Sequence, residues 1–99
     1  MDFTAMAIEY YKDTIEYKQN FTIDYRCDTF VVDFYLPSIQ TFVIFNRDNW
    51  AIEVYKDIKA LCKLNGKRAI IIPIYDIHTE AEFNNYLYKS VNPGSDVYA

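Results

Sequence analysis

Apolar and polar positions along the chain recur with two different periods, and the places where the period changes mark its elements. From Phe3 to about Lys18 the spacing is helical: Thr4, Ala7, Ile8, Tyr11 and Ile15 fall on one side, with Glu9, Asp13 and Glu16 almost opposite. Met6, Tyr10 and Tyr17 widen the apolar face along one flank. Asn20 to Asp24 reads as a short strand centred on Phe21-Thr22-Ile23, with Ile23 and Tyr25 set to pack on the next two strands. Phe30 to Pro37 and Thr41 to Asn46 are β-branched and aromatic, and Pro37-Ser38 supplies turn chemistry, which predicts a β-hairpin at the centre of the domain. Strict alternation puts Phe30, Val32, Phe34 and Leu36 on one face of its first strand and Val31, Asp33 and Tyr35 on the other.

After Asn46 the period becomes helical again. Asp48 or Asn49 is placed to cap a helix whose stripe is Ala51, Val54, Tyr55, Ile58, Leu61 and Cys62. Lys59 and Lys63 sit near its end, where cations favour the helix dipole, and Asn65-Gly66 provides a left-handed stop. Ala69 to Ile74 is a continuous apolar run, read as a strand buried on both faces, with Pro73 at its end or on an unpaired side. A helix between this strand and the preceding one permits a parallel crossover, so the sheet is expected to be mixed. Thr79-Glu80-Ala81-Glu82 is a capping box that opens a last helix with Phe83, Tyr86 and Leu87 inward, ending near Ser90. The expected architecture is α/β (α+β) in the order α-β-β-β-α-β-α, one globular domain over residues 1–90 with a flexible tail over 91–99.

Composition narrows the chemistry. The chain is 52% hydrophobic, as a globular domain requires, and 18% aromatic with ten Tyr, which leaves tyrosines over for a partner surface. A net charge of −4 argues against direct nucleic-acid binding, which needs a positive face to displace counterions. Lys56, Lys59, Lys63, Lys67 and Arg68 form a basic cluster, read as a solvated helix face. Cys27 and Cys62 have no metal-ligand spacing, and with a single His a zinc site is not expected. His78 is read into the loop before the last helix, with Asp76 close to it, and there is no phosphate-binding glycine loop. No secretory leader or membrane-length apolar run is recognised, so a cytoplasmic protein with reduced thiols and no membrane contact is expected.

Asp33 is the odd residue in an apolar strand. Its carboxylate is either exposed, partnered by Arg26 or a lysine, or part of a site. Tyr25-Arg26, the run Val32-Asp33-Phe34-Tyr35-Leu36-Pro37 and the later Leu64-Asn65-Gly66-Lys67-Arg68-Ala69-Ile70-Ile71 resemble the core of the restriction-endonuclease-like, or PD-(D/E)XK, nuclease superfamily, in the branch similar to very-short-patch-repair endonucleases. The resemblance spans roughly residues 20–74 and implies a restriction-endonuclease-like core. It also implies that Asp33 is the first metal-binding carboxylate, which with a Glu on the next strand would hold magnesium and activate water.

Aligned on Leu36-Pro37, Ile44 stands at the Glu position and Asn46 two residues on, so the central chemistry is missing. Glu53 and Lys56, with Asp57 beside them, are the residues on the following helix that a rearranged site would use; Glu9 and Glu16 lie opposite the buried stripe. The expectation is therefore a non-catalytic protein-interaction or inhibitor protein without a cofactor or metal, of the phage-encoded host-takeover or anti-defence kind. Its partner surface is expected at the DNA-mimicking acidic ridge Glu9, Asp13 and Glu16 with Tyr10 and Tyr17. The alternative is a magnesium-dependent DNA nuclease or junction resolvase using Asp33, Glu53 and Lys56; a homodimer closed through the aromatic flank of the first helix is a third option.

Overall fold

The order α-β-β-β-α-β-α is the order found. The computed structural model describes residues 1–25, 28–48 and 52–93. Its elements are α1 (Phe3–Tyr11), β1 (Lys18–Tyr25), β2 (Asp28–Leu36), β3 (Thr41–Phe45), α2 (Ile52–Leu64), β4 (Arg68–Ile72) and α3 (Glu80–Val91). Expectations on Arg26, Cys27, Asn49, Ala51, the side chains of Tyr25 and Phe30, and the tail beyond Pro93 lie outside the described residues.

The strands form one sheet in the order β1-β2-β3-β4. β1–β2 and β2–β3 are antiparallel, and β3–β4 is parallel from Thr41 opposite Arg68 to Phe45 opposite Ile72. The sheet is mixed as the intervening helix predicts, because α2 carries the chain back to the start of β3 before β4 begins. α1 and α3 cover one face, where Ala7, Tyr11, Phe83 and Leu87 meet Phe34, Leu36, Val43, Phe45, Ile70 and Ile72. α2 covers the other, placing Ile58 and Cys62 against Val32, Phe42 and Ile44. β3, covered on both sides, is buried at all of its positions.

Local chemistry ends the later helices where the sequence says it should. Gly66 takes φ 70°, Lys67 N–H donates to the Cys62 carbonyl at 2.7 Å and Gly66 N–H to that of Lys63 at 3.1 Å, a Schellman closure of α2. Thr79 Oγ1 accepts the Glu82 N–H at 3.2 Å and donates to Glu82 Oε1 at 3.0 Å, so Glu82 returns to the hydroxyl of its cap. Arg68, at the start of β4, donates to the Lys89 carbonyl at 2.7 Å and that of Ser90 at 2.9 Å, closing the last turn of α3 with a cation.

Two sequence expectations are corrected. The first helix stops at Tyr11 rather than near Lys18, and β1 starts at Lys18 rather than Asn20. The Thr14 hydroxyl donates to the Tyr10 carbonyl at 2.6 Å, a local bond that competes with helix continuation. The reversal seats Tyr17 beside the paired rings of Tyr11 and Phe34, with centroids 6.2 Å and 5.9 Å away. The second correction is to β2, where Val32 packs under α2 while Phe34 and Leu36 face α1 and α3. Alternation slips at Asp33, and it slips in β1 beside it: Asn20 has φ 56°, Gln19 pairs with Phe34, and Phe21 opposite Val32 turns its ring onto Tyr35 and Phe42 of the α2 face.

Candidate functional site

The hydrogen-bonded ladder between β2 and β3 runs from Leu36–Thr41 to Phe34–Val43 and stops at the slip. There the Asp33 carboxylate turns along the sheet toward β3. Its Oδ2 accepts the Phe45 N–H at 2.7 Å, taking the place of the next ladder bond, and its Oδ1 accepts Arg47 Nη2 at 2.7 Å. Arg47 is half exposed and also lies over the Phe45 ring at 5.4 Å, whereas the Asp33 side chain is only 10% accessible. The partner expected at Arg26 or a lysine is Arg47, a residue near in space because β3 ends beside Asp33.

The neighbouring positions of the nuclease motif are built into the core. Ile44 is fully buried on Ile58 and Cys62 of α2. Asn46 is fully buried too: its Nδ2 donates to the Tyr55 hydroxyl, its Oδ1 accepts the Asp48 N–H at 3.1 Å, and its backbone N–H donates to Ile72 at 2.9 Å. Glu53 and Lys56 are placed on α2, where Glu53 is exposed and Lys56 and Asp57 stand beside it. Among the described residues no three His, Cys, Asp or Glu side chains come together in a way that could hold a metal ion. An isoleucine and an engaged amide do not fit a magnesium cage.

The acidic ridge is not a helical ridge. Glu9 lies on α1 and pairs with Lys12 at 2.9 Å, its side chain 74% accessible, while Asp13 and Glu16 fall in the connection beyond the helix end. Tyr10 and Tyr17 are half-buried and pack on the core. Tyr11 is fully buried, its hydroxyl 2.7 Å from Ser90 Oγ, and burial raises its pKa.

Of the basic cluster read as a solvated helix face, Lys56, Lys59 and Lys63 are exposed on α2, whereas Lys67 and Arg68 are half-buried beyond its end. β4 is the last strand of the sheet, and an open groove of about 510 Å³ runs along it between α2 and α3, continuing into another of about 710 Å³. Lys59 and Lys63 line it from α2, Lys67 from the turn, and Lys89 from α3. Ala69, Ile71 and Tyr86 floor it, with Tyr55 and Tyr75 further along. Lys89 Nζ lies 5.7 Å from the centre of the Tyr86 ring. Burial raises the pKa of Tyr86, and the carboxylates of Asp76 and Glu82 push it the same way. The sequence signal for this groove is the lysine run of α2; Lys89 and Tyr86 join it only through the fold.

No helix among the described residues is long and apolar enough to cross a membrane. No family model, curated protein or solved structure matches this chain.

Proposed function

We propose that this chain is a non-catalytic protein-interaction protein on a restriction-endonuclease-like core, acting in the cytoplasm as an inhibitor of the phage-encoded host-takeover or anti-defence kind. The observation that carries the non-catalytic reading is the engagement of Asp33. The carboxylate that would begin the metal site has one oxygen on a backbone amide and the other on a guanidinium. Freeing it for a cation would leave the Phe45 N–H without its acceptor and Arg47 without its pair, a cost of about 1–3 kcal/mol for the amide alone. Burial of Ile44 under α2 supports the same reading, since a carboxylate there would be charged inside the core.

The acidic total and the ten tyrosines support action through a partner. With α1 ending at Tyr11, that partner is not read from a helical ridge of Glu9, Asp13 and Glu16. Titration calorimetry with magnesium and manganese on the wild type and Asp33→Asn tests the proposal. Neither protein is expected to bind either cation. Binding to the wild type that is lost in Asp33→Asn would transfer the reading to the magnesium-dependent nuclease.

A further inference from the structure

In a parallel pair, alternate residues of each strand point their amides at the neighbour. Arg68 N–H donates to Gln40 and the Ile72 carbonyl accepts from Asn46, which assigns Arg68, Ile70 and Ile72 to the β3 side of β4. The N–H and C=O groups of Ala69 and Ile71 therefore face outward, into the groove they floor. Pro73 comes next in the same outward series and has no N–H to leave open. An edge of this kind is a template for one more strand.

Charge says which strand. Lys56, Lys59, Lys63, Lys67, Arg68 and Lys89 line the connected clefts along this edge, and no residue lining them among those described is acidic. Lys59 and Lys63 are exposed and form no ion pair among the described residues. The chain as a whole is acidic, so this edge has the opposite sign to the rest of the molecule. A second copy pairing edge to edge would bring the two lysine sets together, which disfavours a homodimer here. Bare lysines alone would equally suit a phosphate backbone. The outward amides and carbonyls of Ala69 and Ile71 add a complement that a peptide backbone meets and a nucleotide backbone does not.

We propose that the β4 edge binds an acidic, extended peptide segment of a partner protein as an added strand, its backbone on Ala69 and Ile71 and its carboxylates among the lysines of α2 and α3. This deepens the protein-interaction reading and rests on it only for the role. Its failure is separable, because the metal titration above reads Asp33 and the experiment below reads β4.

The test selects binders to the intact protein from a displayed library of random linear peptides, then titrates the recovered peptide into isotopically labelled protein. The expected result is enrichment of Asp and Glu, with the amide signals of Ala69 and Ile71 shifting most. Affinity should fall about tenfold or more in Lys59→Glu/Lys63→Glu. Ala69→Pro removes an outward N–H while sparing the ladder to β3, and should abolish binding with the folded spectrum retained. If Ala69→Pro fails to fold, the lysine double variant still decides. No acidic enrichment, or shifts centred away from β4, would overturn the proposal. So would an oligothymidine strand binding more tightly than the peptide through the same lysines, or β4 shifts that appear on concentrating the protein alone.

Discussion

Asp33 and Lys59 are both charged residues beside the same sheet, and the fold treats them in opposite ways. Asp33 is nearly enclosed and each carboxylate oxygen has a donor at 2.7 Å. Lys59 stands exposed at the rim of a groove with no ion pair among the described residues. A charge enclosed with its partners fixes geometry, because removing it strands the groups that face it. A charge left in water contributes little to folding and remains free to meet something else. The first arrangement makes the motif carboxylate a joint between β2 and the end of β3; the second makes the far edge the place to look for a partner.

The largest effect should come from forcing the nuclease chemistry back. Ile44→Glu restores the missing carboxylate at its motif position but buries it under α2, and a loss of about 4 kcal/mol or more is expected in urea unfolding. A well-folded Ile44→Glu protein that binds manganese would break the contrast. Next is Asp33→Ala, which leaves the Phe45 amide and Arg47 without acceptors and should cost about 2–4 kcal/mol by the same measurement. Arg47→Ala should cost less, about 1 kcal/mol, since the guanidinium is half exposed and its removal leaves Asp33 with the Phe45 amide.

Tyr11 sharpens the comparison with a group that is buried uncharged. Its pKa is raised in the folded protein by burial, so its contribution is intact below the ordinary phenol value of about 10 and is lost as pH rises from there toward the folded value. Unfolding measured above pH 10 should show stability falling, with a shallower fall in Tyr11→Phe. That variant also loses the bond to Ser90 at about 1 kcal/mol near neutral pH. The smallest effect is expected for Lys59→Glu/Lys63→Glu, within about 0.5 kcal/mol per site in thermal unfolding, because no partner is left behind.

What was legible in the sequence was what neighbouring residues decide among themselves. Asn65-Gly66 ends α2 through bonds to residues of the same helix, and Thr79 with Glu82 opens α3 in the same way. The parallel crossover came from a helix lying between two apolar runs. The end of α1 was not legible, because Thr14 and the edge-to-face contact of Tyr17 with Phe34 outweigh a helical pattern that would otherwise continue. Nor was the slip at Asp33, whose carboxylate bonds to β3 in a direction that strict alternation does not contain. Of the candidate sites, the oddity of Asp33 in an apolar strand is visible in the sequence, whereas its pairing with Arg47 is not. The lysine run is plain in the sequence, yet its setting along an open strand edge depends on Lys89 and Tyr86, which come from a helix far along the chain.

The parallel pairing of β3 with β4 also bears on how the molecule assembles. β1 pairs with β2 from Tyr25 opposite Asp28, three residues apart in the chain, and β2 meets β3 across Pro37–Ile39, so these strands can find each other locally. Thr41 meets Arg68 only after the whole of α2 has formed and swung back, a closure with a larger entropy cost. The three-strand meander is thus expected to consolidate first, and β4 to dock last and open first. Hydrogen exchange would read this as earlier loss of protection at Ile70 and Ile72 than at Phe34 and Val43. Capture of another chain at that edge would then act as a clasp, holding shut the most easily opened seam of the protein.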